Sequence, residues 1–204
     1  MCGKTVSERG EILSIRDVSS LNIRIAHEVK GCADGVMGEI INEGRIRSTL
    51  VISPPSCGKT TLLRDIARQL SNGVEHLGFR GVKVGVIDER SEICAMYRGE
   101  PQNDVGIRTD VLDLCPKSAG IGHMLRSMSP DVIITDELLY PEDARAVMQA
   151  HNTGVAVIAS VHGESVSDIQ RKSVFGELFE ERVFSLAITL SNRPRTGTRS
   201  VVRL

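Results

Sequence analysis

The stretch Thr49-Leu50-Val51-Ile52-Ser53-Pro54-Pro55-Ser56-Cys57-Gly58-Lys59-Thr60-Thr61-Leu62-Leu63 runs from an apolar strand through a tight loop into a helix. The loop meets the phosphate-binding pattern G-x-x-x-x-G-K-[ST] at Gly58, Lys59 and Thr60, with Ser53 in place of the first glycine. Backbone N–H groups in such a loop converge on phosphate oxygens, and the partial positive charge at the following helix N-terminus favours the same anion. Lys59 is expected to reach the β- and γ-phosphates and Thr60 to offer its hydroxyl to Mg²⁺. Ser53, Pro54, Pro55, Ser56, Cys57, Gly58, Lys59, Thr60 and Thr61 therefore form the candidate nucleotide cradle. Ser56 stands where a further glycine is common. Gly58 is the glycine least easily replaced, because a side chain there would intrude on the phosphates.

The second decisive segment is Asp131-Val132-Ile133-Ile134-Thr135-Asp136-Glu137, an apolar strand that ends in two acids, the form of a Walker B element. Asp136 can hold the magnesium hydration shell, and Glu137 can polarise the attacking water. Between the two motifs lies Val84-Gly85-Val86-Ile87-Asp88-Glu89-Arg90, a third apolar strand ending in charge at what should be the same edge. One intervening strand, followed by a Walker B with an adjoining Glu, points to the RecA-like and AAA-like branch of P-loop proteins. Glu89 is a candidate for ordering Mg²⁺ or water, with Asp88 and Arg90 as its positioners; a surface salt-bridge cluster is the competing reading. The run Val155–Ser160 leads into His162, placed to sense the γ-phosphate, and Arg90, Arg108 and Arg126 are candidate arginine fingers.

Outward from these motifs, strand-like and helical runs alternate: Leu50–Ser53, helix 60–71, Val82–Asp88, helix 117–128, Val132–Asp136, helix 142–151, Val155–Ser160, helix 165–172 and Val183–Leu190. Such alternation predicts an α/β fold, a mostly parallel sheet flanked by helices. Pro141 suits a helix first turn, Asn152-Thr153-Gly154 a helix end, and Ser165-x-x-Asp168 a helix start. Residues 49–204 read as one RecA-like domain. Residues 21–48 read as a connecting segment, with a half-buried strand at Leu21-Asn22-Ile23-Arg24-Ile25 and a short helix from Ala33 to Ile41. Residues 1–20, polar and turn-rich, read as the remnant or end of an amino-terminal domain. The stretch 89–116 has no clear periodicity, and a long loop at the carboxyl side of a strand is a common place for function.

Composition narrows the partners. Of 204 residues, 41% are hydrophobic and 25% charged, and no apolar run approaches the ~18 residues of a membrane span, so any membrane association is expected to come through partners. A formal net charge of -1, an aromatic content of 3% and no Trp argue against nucleic acid as a ligand. Arg193, Arg195, Arg199 and Arg203 read as a solvated tail. Five cysteines, an odd number without C-x-x-C spacing, favour neither a disulfide framework nor a zinc site and suit a reducing cytoplasm.

The segments SLNIRIAHEVKGCAD (20–34), SPPSCGKTTLLRDIARQLS (53–71), VGVIDERSEI (84–93), PQNDVGIRTDVLD (101–113) and LRSMSPDVIITDE (125–137) together resemble the stage III sporulation protein AA family, over nearly the whole chain. That family is similar, more distantly, to type II and type IV secretion ATPases and pilus motors. The resemblance implies an Mg²⁺-dependent ATPase on the mother-cell side of the forespore membrane, a hexameric ring, and membrane proteins of the same sporulation channel complex as partners. It further implies that this chain is a core fragment or a truncated form, since family members carry a longer amino-terminal region. The sequence departs from the family's wording at Ser56 and at Leu138-Leu139-Tyr140-Pro141. Two other classes stay open on the residues alone: a nucleotide-regulated scaffold that hardly hydrolyses ATP, and a RecA-like motor on nucleic acid.

Overall fold

The computed structural model describes residues 1–23, 28–194 and 196–204. In chain order the elements are β1 (Cys2–Glu8), β2 (Glu11–Ser20), α1 (Asp34–Ile40), β3 (Ile41–Asn42), β4 (Arg45–Ile46), β5 (Thr49–Ser53) and α2 (Lys59–Asn72). There follow β6 (Gly73–Val74), β7 (Phe79–Arg80), β8 (Val84–Asp88), β9 (Met96–Tyr97), β10 (Glu100–Pro101), β11 (Thr109–Asp113) and α3 (Lys117–Ser127). The chain continues through β12 (Val132–Glu137), α4 (Pro141–Asn152), β13 (Ala156–His162), α5 (Val166–Gln170), α6 (Gly176–Glu180), β14 (Leu186–Ser191) and β15 (Thr198–Arg203).

Seven strands form the central sheet in the order β11-β8-β12-β13-β5-β14-β15, parallel throughout except for β15, which returns antiparallel to β14. A parallel sheet is covered on both faces, so its strands read as near-continuous apolar runs. The pleat divides those runs between two cores. Val51, Val86, Ile134, Ile158 and Ile188 face α1 and α2; Ile52, Ile87, Ile133, Val157 and Ala187 face α3, α4 and the short helices after β13. The β5 strand pairs with β13, and β13 with β12, so one strand separates the P-loop strand from the Walker B strand. That strand is β13. The Val84 strand, which lies between the motifs in sequence, sits on the far side of β12.

Helix punctuation follows local chemistry. Pro141 opens α4, where its missing N–H costs nothing, and Asp143 Oδ2 reaches back to accept the N–H groups of Leu139 and Tyr140. Ser165 Oγ accepts from the Asp168 N–H at the start of α5, although that helix runs only over Val166–Gln170.

The 21–25 stretch and the arginine-rich end depart from their sequence readings, and two other segments gain definition. Residues 1–20 form an exposed antiparallel hairpin turning at Arg9-Gly10, both at positive φ, and contribute nothing to either core. The strand expected at 21–25 lies partly outside the described residues; Leu21 and Ile23 are exposed and belong to no strand. The arginine-rich end is a sheet strand and no free tail: Arg199 donates to the Cys32 carbonyl, and Arg203 Nη2 lies 3.0 Å from Glu39 Oε2. Arg195 is outside the described residues. A seventh strand, β11, also emerges from the uncharacterised stretch 89–116.

Candidate functional site

Parallel strands deliver their carboxyl ends to one edge, and here β5, β8, β12 and β13 bring Ser53, Asp88, Asp136-Glu137 and His162 to that edge. The loop after β5 turns through Ser56, at φ 61, and Gly58, at φ 90, before α2 begins at Lys59. A left-handed backbone is costly for a residue with a Cβ, which is why glycine is usual at the Ser56 position. A Cβ built on Gly58 meets no protein atom within 4 Å. The requirement for glycine there comes from φ and from whatever the loop holds.

A cavity of about 570 Å³ opens over this loop, walled by the 54–61 segment, Arg64, the 90–92 turn, Ala95, Asp136, Glu137 and His162. Pro54, Pro55, Ser56, Gly58, Lys59, Thr60 and Thr61 all line it, whereas Ser53 and Cys57 are buried beneath, with Ser53 Oγ donating to the Pro54 carbonyl. Lys59 Nζ is buried and has no hydrogen-bond acceptor among the described residues. Its nearest charge is Glu137 Oε2, 3.9 Å away. Burial lowers the Lys59 pKa, against the opposing pull of Glu137 and Asp136. A buried ammonium with unused donors is a costly arrangement that an anionic occupant would relieve.

Glu137 is held from two sides. Besides Lys59, His162 Nε2 lies 3.2 Å from Glu137 Oε2, while His162 Nδ1 lies 3.1 Å from the Ser53 carbonyl. A carbonyl only accepts, so Nδ1 carries hydrogen, and the second contact attracts when a proton also lies between Nε2 and the carboxylate. The imidazole thus ties the end of β13 to both the P-loop strand and the Walker B acid. Lys172 Nζ donates to the His162 carbonyl at 2.7 Å, which fixes the backbone there.

Asp136 and Glu89 meet through a residue that sequence reading overlooked. Lys117, buried at the start of α3, pairs with Glu89 and places Nζ 3.3 Å from Asp136 Oδ1. That oxygen is nevertheless without a hydrogen-bond donor. Burial raises the Asp136 pKa and Lys117 opposes the rise. For Lys117, burial pulls the pKa down, but the Glu89 hydrogen bond and the charges of Asp136 and Glu89 outweigh it and the value is raised. Lys117 stood in a stretch without motif, and its only sequence signal is a cation at a helix start, where the dipole disfavours one.

The other expected residues divide. Arg90 lines the cavity; Arg108 is spent on the Ser71 carbonyl at 2.9 Å, and Arg126 is exposed at the end of α3. Glu89 does not line the cavity. Asp88 is fully buried and accepts the backbone N–H groups of Glu92, Ile93 and Cys94 at 2.8–2.9 Å, so it shapes the turn instead of facing a ligand. Its pKa is raised by burial against those three bonds. Arg64, also unnoticed in the sequence, donates to the carbonyls of Ile93 and Glu92 and clamps the same turn onto α2. Among the described residues no three His, Cys, Asp or Glu side chains gather to hold a metal by themselves.

Residues 1–202 match the family described as "Sporulation stage III, protein AA". The chain is 43% identical over 202 residues to stage III sporulation protein AA of Bacillus subtilis (strain 168), covering 99% of this chain and 65% of that protein. It is 30% identical over 155 residues to protein SEEDLING PLASTID DEVELOPMENT 1 of Arabidopsis thaliana, covering 74% of this chain and 21% of that one. Among solved structures, the ATPase DotB of Legionella pneumophila superposes with a TM-score of 0.60 at 19% identity, over 87% of this chain and 50% of that chain. DotB of Yersinia pseudotuberculosis gives 0.58 at 16%, over 91% and 49%. These likenesses show a shared RecA-like fold, a mostly parallel seven-stranded sheet flanked by helices.

Proposed function

The chain belongs to the stage III sporulation protein AA family, and on that premise we propose that it binds ATP with Mg²⁺ and hydrolyses it as the cytoplasmic motor of a sporulation channel complex. The observation that carries the reading is the Lys59 ammonium, buried at the mouth of the P-loop with no acceptor and 3.9 Å from the Walker B glutamate. Backbone N–H groups at Ser56, Cys57 and Gly58 would cradle the phosphates, with Lys59 on the outer ones and Thr60 and Asp136 toward the metal. Bound Mg²⁺ supplies charge neutralisation to the transferring phosphoryl group.

Without an anion nearby, Lys59 and His162 both lean on Glu137. Phosphates would draw Lys59 away, leaving Glu137 to orient and polarise water and His162 to report on the outer phosphate through Ser53. Lys117 pairs with Glu89 and opposes the burial that raises the Asp136 pKa, so Glu89 acts on the metal side only through that lysine. Of the three candidate fingers, Arg90 suits the role.

The chain spans 65% of the Bacillus relative's length. Assembly as a hexameric ring and attachment to membrane proteins of the channel complex are the parts of the proposal that rest on family membership. No described helix is long and apolar enough to cross a membrane.

Measuring nucleotide binding and phosphate release on the same samples tests the reading. Lys59→Ala should lose ATP binding, whereas Glu137→Gln should bind ATP and release phosphate at least about 100-fold more slowly. Unchanged turnover in either variant would sink the assignment. The restrained Glu137 favours one second reading, an ATP-regulated scaffold; tight binding with negligible phosphate release in the unmodified protein would establish it.

A further inference from the structure

At the sheet edge opposite the P-loop lies a second cavity of about 560 Å³. It is enclosed by the β3–β4 hairpin, the residues that lead into β5 and β14, and the last turn of α4. Its walls carry Arg45, Arg47, Arg182 and His151 against a single carboxylate, Glu43. Arg47 is anchored, donating from Nη1 to the Glu39 carbonyl at 3.0 Å, and the Glu39 carboxylate 3.6 Å away is shared with Arg203. Arg45 and Arg182 are exposed, and their side chains make no ion pair or hydrogen bond with any described residue. Ser48 Oγ accepts the Val157 N–H at 3.1 Å, which leaves its own O–H as a donor at the cavity wall.

Acidic residues outnumber basic ones in this chain, 26 to 25, yet three arginines line this cavity with one carboxylate in its wall, Glu43, while Glu39 stands behind Arg47. Guanidinium forks match oxyanions in geometry as well as charge, and several around one opening select a tetrahedral oxyanion over chloride. The volume exceeds that of a lone oxyanion and leaves room for an organic group behind it. We propose that this cavity is a binding site for a phosphate monoester or diester, separate from the nucleotide site, with Arg45, Arg47 and Arg182 as its cationic ligands. Such a phosphate can come from a soluble metabolite or from an anionic lipid headgroup. The site is independent of the nucleotide reading, because it stands on the other edge of the sheet.

His151 is a reporter inside the cavity, and His162 reports on the P-loop. The two imidazoles would be followed by two-dimensional NMR, assigned with His151→Gln and His162→Gln, during titration with inorganic phosphate and with chloride at matched ionic strength. The His151 ring resonances should move saturably with phosphate and stay still with chloride. In an Arg45→Ser/Arg182→Ser double variant, whose changes are both exposed and leave the cores intact, the His151 response should weaken about tenfold or more. Equal responses to phosphate and chloride, or a full response in the double variant, would overturn the proposal. Co-sedimentation with vesicles of phosphatidylglycerol and of phosphatidylcholine then separates the sources. Binding to the anionic vesicles that the double variant loses assigns a headgroup, and a phosphate response without sedimentation assigns a soluble ester.

Discussion

Ser56 is a serine held where the backbone asks for glycine, at φ 61 in the turn of the P-loop. Relief of a left-handed strain is partly offset by the greater freedom glycine has in the unfolded chain. Ser56→Gly should therefore stabilise the protein by about 0.5–1 kcal/mol, read from the urea midpoint at unchanged slope. A lower midpoint would mean that the serine side chain supports the loop in a way its exposure does not suggest. Lys59, Gly58 and Glu137 stood out by residue type and spacing alone, and all three line the one cavity over the loop. Lys117 did not. A buried lysine becomes meaningful only once folding sets it between Glu89 and Asp136, two acids separated from each other by 47 positions in the chain.

Between elements, two carboxylates hold the joint of α1 and α2: Asp34, whose Oδ1 accepts Gln69 Nε2 at 2.8 Å, and Asp65. Asp65 Oδ2 accepts the Ala33 N–H at 2.8 Å and Gln69 Nε2 at 3.0 Å, while Oδ1 accepts both Arg68 donors at 2.7 and 2.8 Å. Burial pushes its pKa up, but these bonds outweigh burial and hold the carboxyl below the usual 3.8. A depressed pKa contributes stability above the ordinary carboxylate value and loses it as pH falls through the lowered one. Asp65→Asn should cost about 1–3 kcal/mol near pH 7, because the amide leaves donors facing donors. The difference from the unmodified protein should shrink as unfolding is followed below pH 4. A pH-independent difference would show that packing, not charge, holds this joint. The helix readings at 60–71, 117–128 and 142–151 succeeded because period and caps are local, whereas β11 and β15 were missed. Both are edge strands with mixed exposure, so their apolar alternation is weak.

At the scale of the molecule, Arg90 lines the cavity over the P-loop and is itself exposed. An exposed arginine beside such a cavity is suited to complete a neighbour's site as well as its own. If a ring is the working form, native mass measurements should show subunits gathering on addition of ATP and Mg²⁺, and Lys59→Ala should remain at its starting mass. A strictly monomeric ATP-bound state would exclude a ring motor for this chain and leave the scaffold reading in place.

The helix and strand runs of the core, the P-loop motif and the Walker B acids are legible locally, because period, turn chemistry and motif spacing are written in neighbouring residues. Tertiary structure alone decided which strand separates the two motifs: β13, paired on one side to β5 and on the other to β12. It also decided that Asp88 turns inward to three backbone N–H groups while Lys117 turns toward Asp136, and that three arginines line one cavity at the opposite edge. These are contacts between distant positions. They are set by sheet order and by the need to satisfy buried charge, neither of which is encoded in any single stretch of the chain.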